Sequence, residues 1–303
     1  MFSPSTEKRH FWTGFGLVLL GAFGFSAKAI IIKLAYAYGS QVDAITLMAL
    51  RMLFSLPIFL LVAILHNKKT DSIPLDKQQW LVIVLLGLIG YYVSSYLDFT
   101  GLNYISAGLE RVLLFLYPTV VVLFSALAYK RKITAHTALA LALSYSGTIL
   151  VFIEQLSLAS SAIRLGSALV LGSAVTFAFF TMGSGIMTHR IGSTRFTAYT
   201  MTVASIATLA HFAVRHGAAL DSLPVNVYGL ALVMAIFSTV LPAFFMNAGI
   251  RRIGAGNASI ISTTGPISTL ALAFIILHES ITVIQLTGTC FVLAGVYIAG
   301  RTK

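Results

Sequence analysis

Ile105–Pro118 reads ISAGLERVLLFLYP, and Ile253–Pro266 reads IGAGNASIISTTGP. The two stretches share Ile105/Ile253, Ala107/Ala255, Gly108/Gly256 and Pro118/Pro266 at a fixed offset of 148 residues. Without a gap the correspondence covers residues 99–153 and 247–301, adding Gly101/Gly249, Ile133/Ile281, Thr134/Thr282 and Gly147/Gly295. Nearer the start, at an offset of 152, Gly14/Gly166, Leu17/Leu169, Val18/Val170, Leu19/Leu171, Ala22/Ala174 and Phe25/Phe177 also match. Apolar matches are cheap coincidences in a greasy chain. Glycine and proline constrain the backbone itself and are less so. The chain therefore reads as two copies of one architecture, residues 1–154 and 155–303.

Composition says what kind of copies these are. Of 303 residues, 58% are hydrophobic and only 10% charged, against about 25% charged in an ordinary soluble domain. With a mean hydropathy of +0.92, a polar exterior cannot be assembled around a single core. A soluble enzyme, a disordered chain and a coiled coil are excluded. The single cysteine, Cys290, permits no intrachain disulfide.

A membrane-spanning helix needs about 20 mostly apolar residues. Ten such segments are present: Phe11–Ala35, Ala44–Leu65, Trp80–Leu97, Ser106–Tyr129, Ala135–Ile153, Leu165–Met187, Thr197–Val214, Val225–Ala248, Ala255–Leu277 and Ile281–Ala299. The connections are short and polar, among them Asn67–Asp76, Tyr129–Thr134, Gly192–Arg195 and Arg251–Gly254. The predicted fold is an all-α polytopic membrane protein of ten transmembrane helices. Five spans per copy is an odd number, so the second copy inserts upside down relative to the first, as in many secondary transporters.

Lysine and arginine set the orientation. With the N-terminus in the cytoplasm, fourteen of the 20 Lys and Arg side chains fall on the cytoplasmic side, Arg164 and Arg215 fall outside, and Lys28, Lys33, Arg51 and Arg111 lie within spans. That bias places both termini inside. It also accounts for the net charge of +11 without a nucleic-acid partner. Lys8-Arg9, an apolar run and Ala27-Lys28-Ala29 mimic a cleavable signal peptide, but the run continues through Ile30, Ile31 and Ile32, and the expectation is an uncleaved first span.

These features resemble the drug/metabolite transporter superfamily, in its EamA-type ten-helix group. The second half carries the resemblance in Pro266, Leu277-His278-Glu279-Ser280-Ile281-Thr282, Gln285, Gly288 and Ala294-Gly295-Val296-Tyr297. The first half repeats Pro118, Ile133-Thr134 and Gly147, with Arg131 where the family has Glu. Phe25-Ser26 with Ile32-Lys33, and Leu50-Arg51, are similar to family patterns in spans one and two, with Phe25 replacing the usual Trp. The resemblance implies transport in a bacterial cytoplasmic (inner) membrane. It is nearly silent on substrate.

Charges within spans are costly and by default functional. Lys28, Arg51, Glu110 and Arg111 are the charged candidates for substrate binding; structural ion pairing of Glu110 with Lys28, Arg51 or Arg111 is the plain alternative. One carboxylate facing three cations leaves room for an anionic or zwitterionic small molecule. Asp43 and Asp98, at helix ends, could supply the balance instead. Snorkelling accounts for Lys33. In the second copy Glu110-Arg111 becomes Ala258-Ser259, so hydrogen-bonding groups, Asn247, Ser259 and Thr263, are the candidates there. Tyr92 and Tyr96 could line the path or anchor at the interface, and His211 reads as a packing histidine. Pro118 and Pro266 interrupt their helices and are candidates for bending or gating. No catalytic motif, metal-ligand spacing or phosphate loop is present, so no cofactor or metal is expected. The expected activity is secondary transport of small polar metabolites, such as amino acids or related carboxylated compounds, across a lipid bilayer by alternating access. An intramembrane lipid-group enzyme and a non-transporting membrane subunit are the rivals; the oligomeric state is not legible.

Overall fold

In hydrocarbon every backbone N–H and C=O must be satisfied within the chain, and the helix does this locally. The computed structural model describes residues 4–39, 41–67, 74–117, 160–217, 223–262 and 264–301, with isolated positions between 120 and 150. The elements are α1 (Pro4–Tyr36), α2 (Ala44–Asn67), α3 (Lys77–Gly87), a π-helical turn (Leu88–Val93), α4 (Ser94–Gly101) and α5 (Ala107–Leu114). After them come α6 (Ser161–Ile191), α7 (Ser193–His216), α8 (Val225–Ala235), a second π-helical turn (Ile236–Val240), α9 (Leu241–Ser262), α10 (Thr264–Leu277) and α11 (Val283–Arg301).

Among the described residues six helical stretches are long and apolar enough to cross a membrane: Phe11–Tyr36, Ala44–His66, Lys77–Gly101, Ser161–Ser184, Ser193–His216 and Val225–Met246. Thr264–Leu277 and Val283–Gly295 are shorter apolar helices. The regular structure of the described residues is entirely helical, that of an integral membrane protein. The expected fifth span, Ala135–Ile153, lies outside the described residues except at isolated positions.

Two expected boundaries move. Arg251–Gly254, read as a connection, is helical and lies inside α9. Span four, expected as one helix from Ser106, ends its first segment at Leu114. That residue stands four before Pro118, whose ring in a continuous helix would clash with the Leu114 carbonyl.

The chain divides into two compact units, each drawing on both halves of the sequence: residues 1–30, 106–160 and 237–303 in one, 31–105 and 161–236 in the other. Small residues let the helices of each approach closely. In the first unit a Cβ on Gly249 would stand 3.1 Å from the Gly14 carbonyl oxygen and strike Val18. In the second, a Cβ on Gly101 would stand 3.0 Å from the Gly166 carbonyl oxygen and 2.6 Å from Val170. These are the same paired positions that the sequence correspondence singled out, Gly101/Gly249, Gly14/Gly166 and Val18/Val170, meeting crosswise. The π turns also lie 148 residues apart.

Candidate functional site

α5 carries an acidic and a basic residue side by side, Glu110 and Arg111. Its start is capped from two directions. Ser106, in extended conformation, accepts a hydrogen bond from the Leu109 N–H at 3.2 Å. The Glu279 carboxylate accepts from the Ala107 N–H (3.1 Å, Oε1) and the Gly108 N–H (3.3 Å, Oε2). A carboxylate there satisfies two orphan donors and complements the positive end of the helix. Local backbone brings Glu279 into place. α10 stops at Leu277, His278 takes a left-handed φ of 54°, and the Glu279 N–H folds back onto the Ala273 carbonyl at 3.2 Å. Thr282 and Gln285 then form a reciprocal cap for α11, Thr282 N–H to Gln285 Oε1 at 3.3 Å and Gln285 N–H to Thr282 Oγ1 at 3.1 Å.

Glu110 is fully buried and Arg111 is 5% exposed. Their closest approach, Arg111 Nε to Glu110 Oε2, is 3.9 Å, an ion pair longer than a hydrogen bond. Arg111 Nη2 donates to the Phe25 carbonyl at 2.9 Å and reaches the Ser26 carbonyl at 3.5 Å. The single Ser26 O–H is shared between the Ala22 carbonyl at 2.8 Å and the Gly265 carbonyl at 2.9 Å, and Thr269 Oγ1 donates to the Ser26 carbonyl at 3.3 Å. α1, α5 and α10 are thus cross-linked around one guanidinium. Lys28, three residues beyond Phe25 and half-buried, lies on the same side of α1.

The other candidates have different neighbours. Arg51, 4% exposed, sits in the second unit with its guanidinium carbon 4.7 Å above the Phe99 ring. Asp98, 1% exposed, is a buried carboxylate of the same unit. Tyr92 OH pairs with His211 Nδ1 at 2.9 Å, and the Tyr96 ring lies 5.2 Å from the His211 ring; His211 is satisfied as expected. Lys33 Nζ donates to the Leu102 carbonyl at 3.1 Å, just past the end of α4. Pro266 is buried near the start of α10. Pro118 and Thr263 lie outside the described residues, and the side chains of Asn247 and Ser259 are likewise outside them. Among the described residues no three His, Cys, Asp or Glu side chains are placed to hold a metal ion.

Two participants escape a residue-by-residue reading: Glu279 as the cap of α5, and Gln285. The signal for Glu279 is its departure from the repeat, since the equivalent first-half position is Arg131. At the ends of α2 and α7, Asp43 Oδ2 meets His216 Nε2 at 3.1 Å. Burial pushes the Asp43 carboxyl up, but hydrogen bonds from Thr46 and His216 outweigh it and leave the group below the ordinary carboxylate value. Beside Glu279 lies a cavity of ≈ 320 Å³ whose polar lining comes from Ser106, His278, Glu279, Ser280 and Gln285.

The chain resembles known proteins over nearly its full length. The pattern of the EamA-like transporter family matches twice, over residues 12–153 and 164–301. The uncharacterized transporter YcbK of Bacillus subtilis is 32% identical over 285 residues, covering 92% of this chain and 90% of that one. The uncharacterized inner membrane transporter YicL of Salmonella typhimurium is 25% identical, covering 93% and 91%. A solved crystal structure superposes with a TM-score of 0.64 over 96% of this chain and 95% of that chain, at 14% identity, a likeness that speaks to fold alone. Two matches spanning both halves, with a relative sharing 32% of its residues, make the chain a member of the EamA-like transporter family of integral membrane proteins.

Proposed function

We propose that the protein is a secondary carrier for small polar metabolites, amino acids or related carboxylated compounds, working by alternating access in a bacterial inner membrane. The observation that carries this is the buried Glu110–Arg111 pair on α5, braced against the α1 backbone, in a chain of a transporter family. Arg111 and Lys28 bind the anionic group. Glu110 holds Arg111 and meets a substrate ammonium. Asn247, Ser259 and Thr263 hydrogen-bond the remainder, and Pro118 and Pro266 provide the bends. Arg51, Tyr92 and Tyr96 act within their own unit, where Phe99 and His211 already engage them.

The ten spans form two inverted copies, residues 1–154 and 155–303, with both termini cytoplasmic. The crosswise glycine contacts and the equivalent π turns support two copies of one architecture. The contacts of Asp43 with His216, and of Glu279 with Ala107, each join connections that this topology puts on one side. Reporter fusions after residues 72 and 219 then report opposite faces; agreement between them breaks the inverted arrangement.

Function is tested with purified protein in liposomes and a labelled pool of amino acids and small carboxylates. Saturable uptake of one or more of them is expected. Turnover of lipid without any flux would replace the carrier with an intramembrane enzyme.

A further inference from the structure

The cavity beside Glu279 lies on the face proposed as outer, and it is not part of the Arg111 bracing. Its volume of ≈ 320 Å³ is at the small end of ligand pockets, about 300–1,000 Å³. An ionised carboxylate offers about four lone-pair positions. The Ala107 and Gly108 N–H groups occupy one on each Glu279 oxygen, leaving acceptor capacity on both. No Lys or Arg is among the described residues that line the cavity, so the remaining acceptors favour a cationic donor.

Gln285 supplies the complementary group. It lines the same cavity and is 6% exposed. The Thr282 N–H donates to its Oε1, which fixes the orientation of the amide and leaves Nε2 as a donor with no protein partner among the described residues. A buried amide donor gains from an acceptor. Ser106, His278 and Ser280 add further polar atoms around the rim. The apolar lining is Leu270 and Ala273, with Gly108, where a Cβ would stand 3.0 Å from Leu270 and 3.9 Å from Glu279 Oε2. A bare backbone there keeps the cavity open.

From this pairing we infer that the cavity is a peripheral recognition site for an α-amino acid, with its ammonium on Glu279 and its carboxylate on Gln285 Nε2. This rests on the reading of the carrier as one for amino acids and places a first contact about one helical turn from Arg111, on the same short helix. Glu279 has two duties here. It caps α5 and it receives the ligand, so occupancy of the cavity is coupled to the end of the helix that carries Glu110 and Arg111.

Isothermal titration of the purified full-length protein with each of the twenty amino acids tests the inference. At least one binds the wild type, and Glu279→Gln weakens it about tenfold or more. Because that variant also alters the cap, two further arms are read. Gln285→Leu weakens the same ligand, and on wild-type protein the N-acetyl derivative, which lacks the ammonium, fails to bind. Binding that persists in Arg111→Lys while its uptake falls separates this cavity from the transport site. The inference is overturned if no amino acid binds, if Glu279→Gln binds as the wild type does, or if the N-acetyl derivative binds equally well. A wild type that binds but moves nothing in liposomes breaks the proposed function instead.

Discussion

Residues 101–114 and 249–262 are equivalent positions of the repeat, and they fold differently. In the first copy the helix stops at Gly101 and restarts at Ala107; in the second, α9 runs unbroken from Leu241 to Ser262. The residues that cap the restart are the ones that differ. Ser106 corresponds to Gly254, and Glu279, which closes α5 from the second copy, corresponds to Arg131 in the first. A helix end exposes N–H groups that need partners. Where the partners exist the helix ends, and where both have been replaced it continues. The charged pair follows the same division: Glu110-Arg111 lies just inside the capped end, Ala258-Ser259 inside the continuous helix. One copy is interrupted and carries the Glu110-Arg111 pair inside its capped end; the other runs on, with Ala258-Ser259 in that place.

This asymmetry is most sharply probed at Arg111. Arg111→Ala breaks the buried pair with Glu110 and removes the guanidinium's bonds to the α1 backbone, and breaking a buried pair costs about 3–5 kcal/mol. Ser259→Ala, at the equivalent position, costs under about 1 kcal/mol, the scale of a hydroxyl contact between membrane helices. Thermal unfolding in detergent measures both, and equal losses would erase the distinction between the copies. Glu279→Ala comes next, stranding the Ala107 and Gly108 N–H groups at about 1–3 kcal/mol. The reciprocal Arg131→Glu gains nothing, because α9 presents no helix start at Ala255; a stabilised Arg131→Glu variant would mean that the second copy also breaks. Ser106→Ala removes one cap at about 1 kcal/mol, and hydrogen exchange shows it as faster opening at the Leu109 amide. Unchanged exchange there would mean that the Glu279 contacts alone hold the helix start.

The smallest effect is an electrostatic control remote from both stretches. The folded Asp43 carboxyl is held below its ordinary value, so its contribution is fully present above the unfolded carboxylate value, about 3.9. It is lost as pH falls through the depressed folded value. Asp43 and His216 side chains are each 35% exposed, and solvent screening keeps the effect small. Asp43→Asn therefore lowers the unfolding temperature slightly at neutral pH and not at all in strong acid; the opposite order would contradict the assignment.

The spans are legible because burial in hydrocarbon demands long apolar runs, and Ala44–Asn67 and Ser193–His216 begin and end within a few residues of where hydropathy puts them. The site is legible only in part. Glu110 and Arg111 announce themselves as charges in an apolar run, but their partners do not: the Arg111 contacts are backbone carbonyls of α1, which every residue has. Glu279 and Ala107 lie 172 residues apart, and nothing local to either predicts their meeting. Asp98 reads as an end-of-helix residue because the apolar run fades at Leu97, while α4 continues to Gly101 and buries it. The π turns leave no compositional mark, being a change of hydrogen-bond partner rather than of residue type.

Uptake of the same labelled amino acid by liposomes containing wild-type, Arg111→Ala or Ser259→Ala protein, at equal amounts of folded carrier, tests the central claim most directly. The account predicts that uptake is abolished in Arg111→Ala and reduced but not abolished in Ser259→Ala, which loses one of several hydrogen bonds to the substrate. Retained uptake in Arg111→Ala would contradict it and reduce the charged pair to a brace between helices.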